Sequence, residues 1–130
     1  MAFHVDITEP AIIDSGEYFR FIRDVKKKPD AADRWYLGLV EATISLEELP
    51  ERCPSIPEQD EFQFEIRQLI YFSHRIIFRV LHESNIVIVY RVYHGSRRSL
   101  AQGDLPYLHR LLSAFSQPSG TAPQPISLGF

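Results

Sequence analysis

The hydrophobic pattern changes period along this chain. The opening segment AFHVDI alternates and predicts a β-strand, after which Thr8 is a candidate helix N-cap with Glu9 and Pro10 in the first turn. Apolar residues then recur at helical spacing until KKKPD, where Pro29 forbids continuation. The predicted stripe of this first helix is Ile12, Ile13, Phe19, Ile22 and Val25.

A second helical pattern follows after a short connection, with Asp30 as its predicted cap. Its apolar stripe is Trp35, Leu39, Ala42, Leu46 and Leu49. A connection this short predicts an antiparallel helical hairpin. The next segment, PERCPSIPEQDE, contains three prolines and is predicted to be a loop.

Three β-rich runs come next, at 62–71, 74–82 and 85–94, and connections of two residues between them indicate antiparallel hairpins. The predicted order is β-α-α-β-β-β, an α+β fold with the helical hairpin on one face of a small antiparallel sheet. We divide the chain into a domain over 1–100, a C-terminal helix over 101–116 and a flexible proline- and serine-rich tail over 117–130. The C-terminal helix would turn inward Leu105, Leu108, Leu112 and Phe115.

Strand alternation also predicts how the sheet divides its side chains. The natural assignment turns the all-apolar sets toward the helices, for example Ile76, Phe78 and Val80. The opposite face then carries four arginines among Ile77, Leu81, Val87, Val89 and aromatic residues. These arginines are Arg67, Arg75, Arg79 and Arg91. A face this apolar needs a cover, either the C-terminal helix or another protein.

Composition narrows the class of protein. At 130 residues with 45% hydrophobic content, the chain is long enough for one core. Cys53 is the only cysteine, which excludes internal disulfides and cysteine-rich zinc sites. The acidic start MAFHVDITEP does not resemble a signal peptide, and no run is long enough to cross a bilayer, so we expect a cytoplasmic protein. We expect no metal and no nucleotide cofactor, since His4, His74, His82 and His109 are scattered, as at surfaces or strand ends, and no phosphate-binding glycine loop is present.

The net charge of −3 conceals a division. Residues 1–60 carry 13 acids and 7 bases, whereas residues 61–100 carry 3 acids and 6 bases, all of them arginine. Arginine suits phosphate, carboxylate and interface pairing. The basic half therefore favours an anion-binding or partner-binding surface.

The last predicted strand ends in HGSRR, residues 94–98. We expect Gly95 to let the chain leave the sheet through a positive φ, and His94, Arg97 and Arg98 to face outward as a target-binding surface. The structural alternative is that Arg97 pairs with an acid of the helical hairpin, such as Glu17 or Glu41.

Several stretches together carry a resemblance to a known family. ERCPSIPE, IRQLIYFSHRIIFRV and VYRVYHGSRR resemble the RelE/ParE superfamily of bacterial toxins, and especially its ParE or plasmid-stabilisation branch. The likeness covers roughly residues 3–100 and ends in a His-Gly-x-Arg motif at His94–Arg97. It implies a toxin of a type II toxin–antitoxin system, in complex with a cognate antitoxin. The antitoxin would bind Arg67, Arg75, Arg79 and Arg91 through an acidic, leucine-rich segment.

The superfamily resemblance leaves the mechanism open. ParE-like members poison DNA gyrase without enzymatic activity, whereas RelE-like members cleave mRNA in the ribosome. A ribonuclease reading would use Arg75, Tyr93, His94 and Arg97, but the expected lysines of the second strand are missing. An acidic chain with a pI of 5.9 is also poorly suited to the ribosome. We therefore expect a gyrase poison; the ribonuclease and an inactive relative acting only as a binding module remain alternatives.

Overall fold

The computed structural model describes residues 2–97, 99–105 and 126–127. The helices are α1 (Glu9–Arg20), which continues into a π-helical turn (Phe21–Val25), and α2 (Pro29–Ile44). The strands are β1 (His4–Ile7), β2 (Arg67–Tyr71), β3 (His74–Leu81), β4 (Ile86–His94) and β5 (Ile126–Ser127). The predicted α+β class and the order β-α-α-β-β-β are confirmed through β4. The predicted C-terminal helix and tail lie almost entirely outside the described residues, apart from a 3₁₀ turn at Gln102–Asp104 and the two residues of β5.

The sheet is mixed, where an antiparallel sheet was predicted. Its strand order is β2-β3-β4-β1-β5. β2, β3 and β4 form the expected antiparallel hairpins, but β1 pairs with β4 in parallel, His4 opposite Ile86. Parallel neighbours need a long crossover, and the helical hairpin is part of the connection that supplies it.

The helix ends follow local chemistry. Thr8 is the N-cap of α1 as predicted: its Oγ1 accepts a hydrogen bond from Ala11 N at 3.4 Å and donates one to Tyr90 O at 2.8 Å. The prediction that Asp30 caps α2 is wrong. Lys28 precedes the helix and Pro29 is its first residue, where a proline needs no backbone donor.

The buried stripes of the two helices differ from the predicted ones at their margins. On α2, Leu39 and Leu46 are buried as expected, but Leu49 is 75% exposed. On α1 and its π-helical turn, Ala11 is fully buried, whereas three predicted core residues are exposed: Ile12, Ile13 and Val25. Residues with small side chains form the contact between α1 and the sheet, so the helix lies close to the strands. The large apolar residues of α1 lie to either side of this contact.

A β-bulge in β4 decides which side chains face the helices. Ile77 pairs with Arg91 and Phe78 with Val89, which leaves Tyr90 as the extra residue. Val87 and Val89 therefore join the core beneath the helices, while Ile88 and Tyr90 face the other way. The predicted phase of β4 is wrong before the bulge because both of its faces are apolar, which leaves alternation ambiguous.

The opposite face of the sheet has its own apolar cover. Ile77, Ile88 and Tyr90 pack there against residues that precede β2 and residues that follow β4. These covering residues are Ile56, Phe62, Ile66, Leu100 and Leu105. Phe62 and Ile66 thus cover the sheet, and residues 62–66 lie outside β2, contrary to the prediction. Cys53 is buried in the helix-side core.

Candidate functional site

The ends of β3 and β4 bring two histidines together. His74 is the first residue of β3 and His94 the last of β4, and antiparallel pairing sets them opposite each other. Their ring centroids are 4.8 Å apart, and the ring of Tyr18 from α1 lies 4.3 Å from His74 and 5.8 Å from His94. This cluster, with Arg97 beside it, forms the candidate site. The predicted strand bounds would have set His74 opposite Tyr93; the bulge in β4 shifts the register by one residue and brings His94 there instead.

His74 lies at a strand end, one of the two positions predicted for the scattered histidines. Its side chain is nevertheless buried, with 3% exposure. Burial, together with the neighbouring His94, lowers the pKa of His74 to about 4, and Asp14 opposes this only in part. His74 is therefore neutral near pH 7. Of the other histidines, His4 contacts Asp6 and His82 contacts Glu51, while His109 lies outside the described residues.

His94 is oriented by the turn that follows it. Its Nδ1 accepts a hydrogen bond from Ser96 N at 3.1 Å and lies 2.7 Å from Ser96 Oγ. An accepting Nδ1 leaves the proton of the neutral ring on Nε2. His94 is half-buried, so part of it remains accessible to a partner.

Gly95 serves this turn differently from the prediction. None of the glycines in the described ranges has a positive φ. Instead Gly95 N donates to Ser73 O at 2.7 Å, and a Cβ at this position would lie 3.1 Å from that oxygen. Glycine is suited here because the two turns approach closely.

Arg97 lies on the surface beside the histidines. Its guanidinium carbon is 4.8 Å from the centroid of the buried Tyr93 ring. Within the described part of the chain, no ion pair joins Arg97 to Glu17 or Glu41, the predicted structural partners. Stacking on Tyr93 therefore orients Arg97 while leaving its donors exposed. Arg98, the third predicted target-binding residue, lies outside the described residues.

A small cavity of about 230 Å³ opens between the histidines, Arg97 and α1. Two acids, Asp14 and Glu17, contribute to its lining. Asp14 is engaged: its carboxylate accepts from Arg91 Nε at 2.7 Å, from Arg91 Nη2 at 2.9 Å and from Val92 N at 3.1 Å. This bidentate pair ties α1 to β4 and raises the pKa of Arg91.

Arg75 forms an internal ion pair on the opposite face of the sheet. It donates to both carboxylate oxygens of Glu58, at 3.0 and 2.6 Å, and to Gln68 Oε1 at 2.7 Å. The two charged side chains are only 14% and 11% exposed. Glu58 also accepts from Leu100 N at 2.8 Å, and the hydrogen bonds from Arg75 lower the pKa of this carboxyl despite its burial. The Arg75–Glu58 pair thus connects the loop that contains Glu58 to β3 of the sheet.

The predicted single arginine surface is not formed. Arg67 lies on the helix-facing side, since it pairs with Phe78, and donates to the carbonyl oxygens of Glu51 and Cys53. Arg79 lies on the opposite face, where its guanidinium carbon is 4.1 Å from the Phe64 ring centroid and burial lowers its pKa. Together with the pairs of Arg75 and Arg91, these contacts give each of the four arginines an internal partner.

Comparisons with known proteins identify the family. The family model for the ParE toxin of type II toxin–antitoxin systems (parDE) matches residues 5–99. The fold resembles a chain of the solved structure described as "Chromosomal ParDE TA system from P. aeruginosa", with a TM-score of 0.56 and 16% identity over 72% of this chain and 96% of that one. No curated protein matches the chain. This protein belongs to the ParE family: it is a ParE-type toxin of a type II toxin–antitoxin system, and that family implies an antitoxin partner.

The helices give no sign of a membrane span. None within the described ranges is both long and apolar enough to cross a bilayer.

Proposed function

We propose that this protein inhibits growth in the cytoplasm by binding and poisoning DNA gyrase, and that a cognate antitoxin neutralises it. Family membership supports a toxin, and the placement of the candidate residues favours binding over RNA cleavage. Arg75, the predicted phosphate clamp of a ribonuclease, is engaged by Glu58, and Tyr93 is only 1% exposed. His94 and Arg97 remain at the surface, where they suit contact with a large partner.

The target-binding surface in this proposal is the end of β4, with His94, Arg97 and Arg98. Arg97 supplies a planar cation held by an aromatic ring, and His94 supplies an oriented ring edge. Arginine next to aromatic side chains is the composition found at the energetic centres of interfaces.

Expression of the full chain from a tightly repressed promoter tests the proposal. We expect filamentation with induction of the DNA-damage response, and loss of supercoiling by purified gyrase when the toxin is added. Arg97→Ala combined with Arg98→Ala should abolish both effects. Arg23→Ala is the matched control, because Arg23 is also an exposed arginine that lies over an aromatic ring, that of Phe19, and its ion pair is with its neighbour Asp24.

Other outcomes would contradict the proposal. Immediate arrest of translation with normal gyrase activity would favour the ribonuclease, and His94→Gln would then be tested for loss of RNA cleavage. Unaffected growth would indicate a relative that acts only as a binding module.

The antitoxin site at Arg67, Arg75, Arg79 and Arg91 stays a prediction. Arg75 is paired with Glu58, and Arg91 with Asp14. An acidic antitoxin segment could therefore pair with either arginine only by displacing its internal carboxylate. Arg79 is the sharper test, because its partner is the Phe64 ring and not an acid. We expect Arg79→Met, which preserves packing against Phe64, to weaken antitoxin binding at least tenfold in calorimetry. Unchanged affinity would remove Arg79 from the antitoxin site.

A further inference from the structure

A second cleft, larger than the cavity beside His94, lies between the helical hairpin and the β2–β3 turn. Its volume is about 520 Å³. The π-helical turn and the start of α2 form one side, and residues 71–73 form the other. Tyr18 lines both cavities, so the cleft adjoins the histidine cluster. Neither the family match nor the proposed gyrase contact assigns it a role.

The cleft is basic in a protein that is acidic overall. Lys26, Lys28 and Arg34 line it, and all three are exposed. The described residues of its lining include no acid. Three cations around one opening, in a chain of net charge −3, concentrate positive potential at this place. An anionic ligand is therefore favoured.

Aromatic rings form the wall between these cations. Tyr18 and Trp35 lie 4.9 Å apart between centroids, Trp35 and Tyr71 6.2 Å, and Tyr71 and Phe72 4.8 Å. The four rings thus form a continuous series from α1 to the hairpin turn. Phe72 ends the series with 81% of its surface exposed. A large planar ring without cover is suited to stacking.

Backbone geometry around the cleft is unusual at three points. Phe72 has a φ of +52° and Lys27 a φ of +55°, a region that bulky side chains rarely adopt. The π-helical turn at Phe21–Val25 contributes Ile22 to the lining, and such turns often occur at functional sites. A glycine or asparagine would form the β2–β3 turn more easily, so folding alone does not account for an exposed phenylalanine there.

We propose that this cleft binds single-stranded nucleic acid. Lys26, Lys28 and Arg34 would contact successive phosphates, and the exposed ring of Phe72 would stack on a base. Cations that follow a backbone, combined with aromatic rings, are the features of sequence-independent single-strand binding. A groove for an amphipathic helix is lined mainly by apolar side chains. Six of the ten lining residues here are also apolar or aromatic, so it is the three cations among them that favour a ligand carrying phosphates. The inference does not depend on gyrase as the target.

Trp35 allows a direct test, because it is the only tryptophan of the chain and lies in the cleft wall. The full-length protein would be titrated with oligo(dT) and oligo(U) of about 12 nucleotides at low salt, with fluorescence of Trp35 and anisotropy of a labelled oligonucleotide as readouts. We expect quenching that saturates. The logarithm of the affinity should fall against the logarithm of salt with a slope of about −2, as for three phosphate contacts.

Two variants link binding to the cleft. Phe72→Gly should weaken oligonucleotide binding about tenfold through lost stacking. Its melting temperature should be unchanged or higher, since glycine adopts the positive φ without strain. Lys28→Glu should also weaken binding. Lys27→Glu, with the same change of charge at a residue outside the lining, is the matched control and should have a much smaller effect.

The proposal would be overturned by absence of oligonucleotide binding at 50 mM salt, or by binding that is equally strong in Phe72→Gly. Quenching of Trp35 by an acidic leucine-containing peptide, but not by oligonucleotides, would assign the cleft to a protein partner and refute the nucleic-acid class. Growth and gyrase assays on Phe72→Gly are separate readouts. A failure of the gyrase proposal is therefore distinguishable from a failure of this one.

Discussion

Arg75 and Arg97 are the same residue type, one on β3 and the other just after the adjacent β4, yet they have opposite environments. Arg75 is 14% exposed, and both of its terminal guanidinium nitrogens donate to Glu58. Arg97 lies at the surface against one aromatic ring, with no ion pair among the described residues. The difference shows that a cationic strand face is not in itself a binding surface. An arginine that is buried and paired with an acid stabilises the fold, whereas an arginine that is exposed and has no ion pair is available to bind another molecule.

The largest expected effect is at Arg75. Arg75→Met would leave Glu58 buried without its counter-charge, and we expect a loss of about 3–5 kcal/mol in the free energy of unfolding. Adding Glu58→Gln, which retains an acceptor for Leu100 N, should recover part of that loss. Urea denaturation of the single and double variants measures both values. A loss below about 1 kcal/mol would mean that the Arg75–Glu58 pair contributes no more to stability than an exposed ion pair does.

The next-largest expected effect is the pH dependence of the unfolding free energy that the buried His74 causes. The pKa of His74 falls from 6.5 to about 4 on folding, so the unfolded chain binds the proton more readily. Stability from this group is complete above pH 6.5 and is lost as the pH falls to about 4, a change of about 3 kcal/mol.

His74→Phe provides the comparison for this pH dependence, because it keeps an aromatic ring without a titrating nitrogen. As the pH falls from 7 to 4, the unfolding free energy of the original protein should fall relative to that of His74→Phe. Any advantage of the original protein at pH 7 should therefore shrink, or the variant should become the more stable of the two. Parallel stability curves would show that His74 does not change its pKa on folding.

A smaller effect is expected where the two turns meet beneath the exposed motif. Gly95→Ala would place a Cβ 3.1 Å from Ser73 O and should cost about 1 kcal/mol. Gly103→Ala is the control, because a Cβ there has nothing within 4 Å. It should be neutral or slightly stabilising, through the unfolded chain. Thermal melts of both variants distinguish close approach from a general effect of losing glycine.

The smallest effect on stability is expected at Arg97 itself. Arg97→Ala removes only an exposed stacking contact and should change the unfolding free energy by about 0.5 kcal/mol or less. If Arg97→Ala also abolishes toxicity, Arg97 acts in function with little effect on stability, whereas Arg75 acts mainly on stability. A loss comparable to that of Arg75→Met would instead make the His-Gly-x-Arg motif a structural element.

The sequence was sufficient for the types and the order of the elements from β1 to β4. Periodicity changes from helical spacing to alternation at the proline-rich segment, and both signals depend on neighbouring residues alone. Thr8 was recognisable as a cap because a hydroxyl before an acid and a proline satisfies the first turn of a helix locally. Gly95 was identified as important for a related reason, although its role is close approach and not a positive φ.

The side-chain assignments needed the tertiary structure. The bulge at Tyr90 inverts the predicted phase in β4, and a strand that is apolar on both faces gives no local sign of it. The partners of Arg75 and Arg91 come from Glu58 and Asp14, which are 17 and 77 residues away. His74 meets His94 only because the hairpin register sets them opposite. Local propensity determined which elements form; long-range pairing and burial decided which charges are engaged and which remain at the surface, because those depend on contacts between residues far apart in the chain.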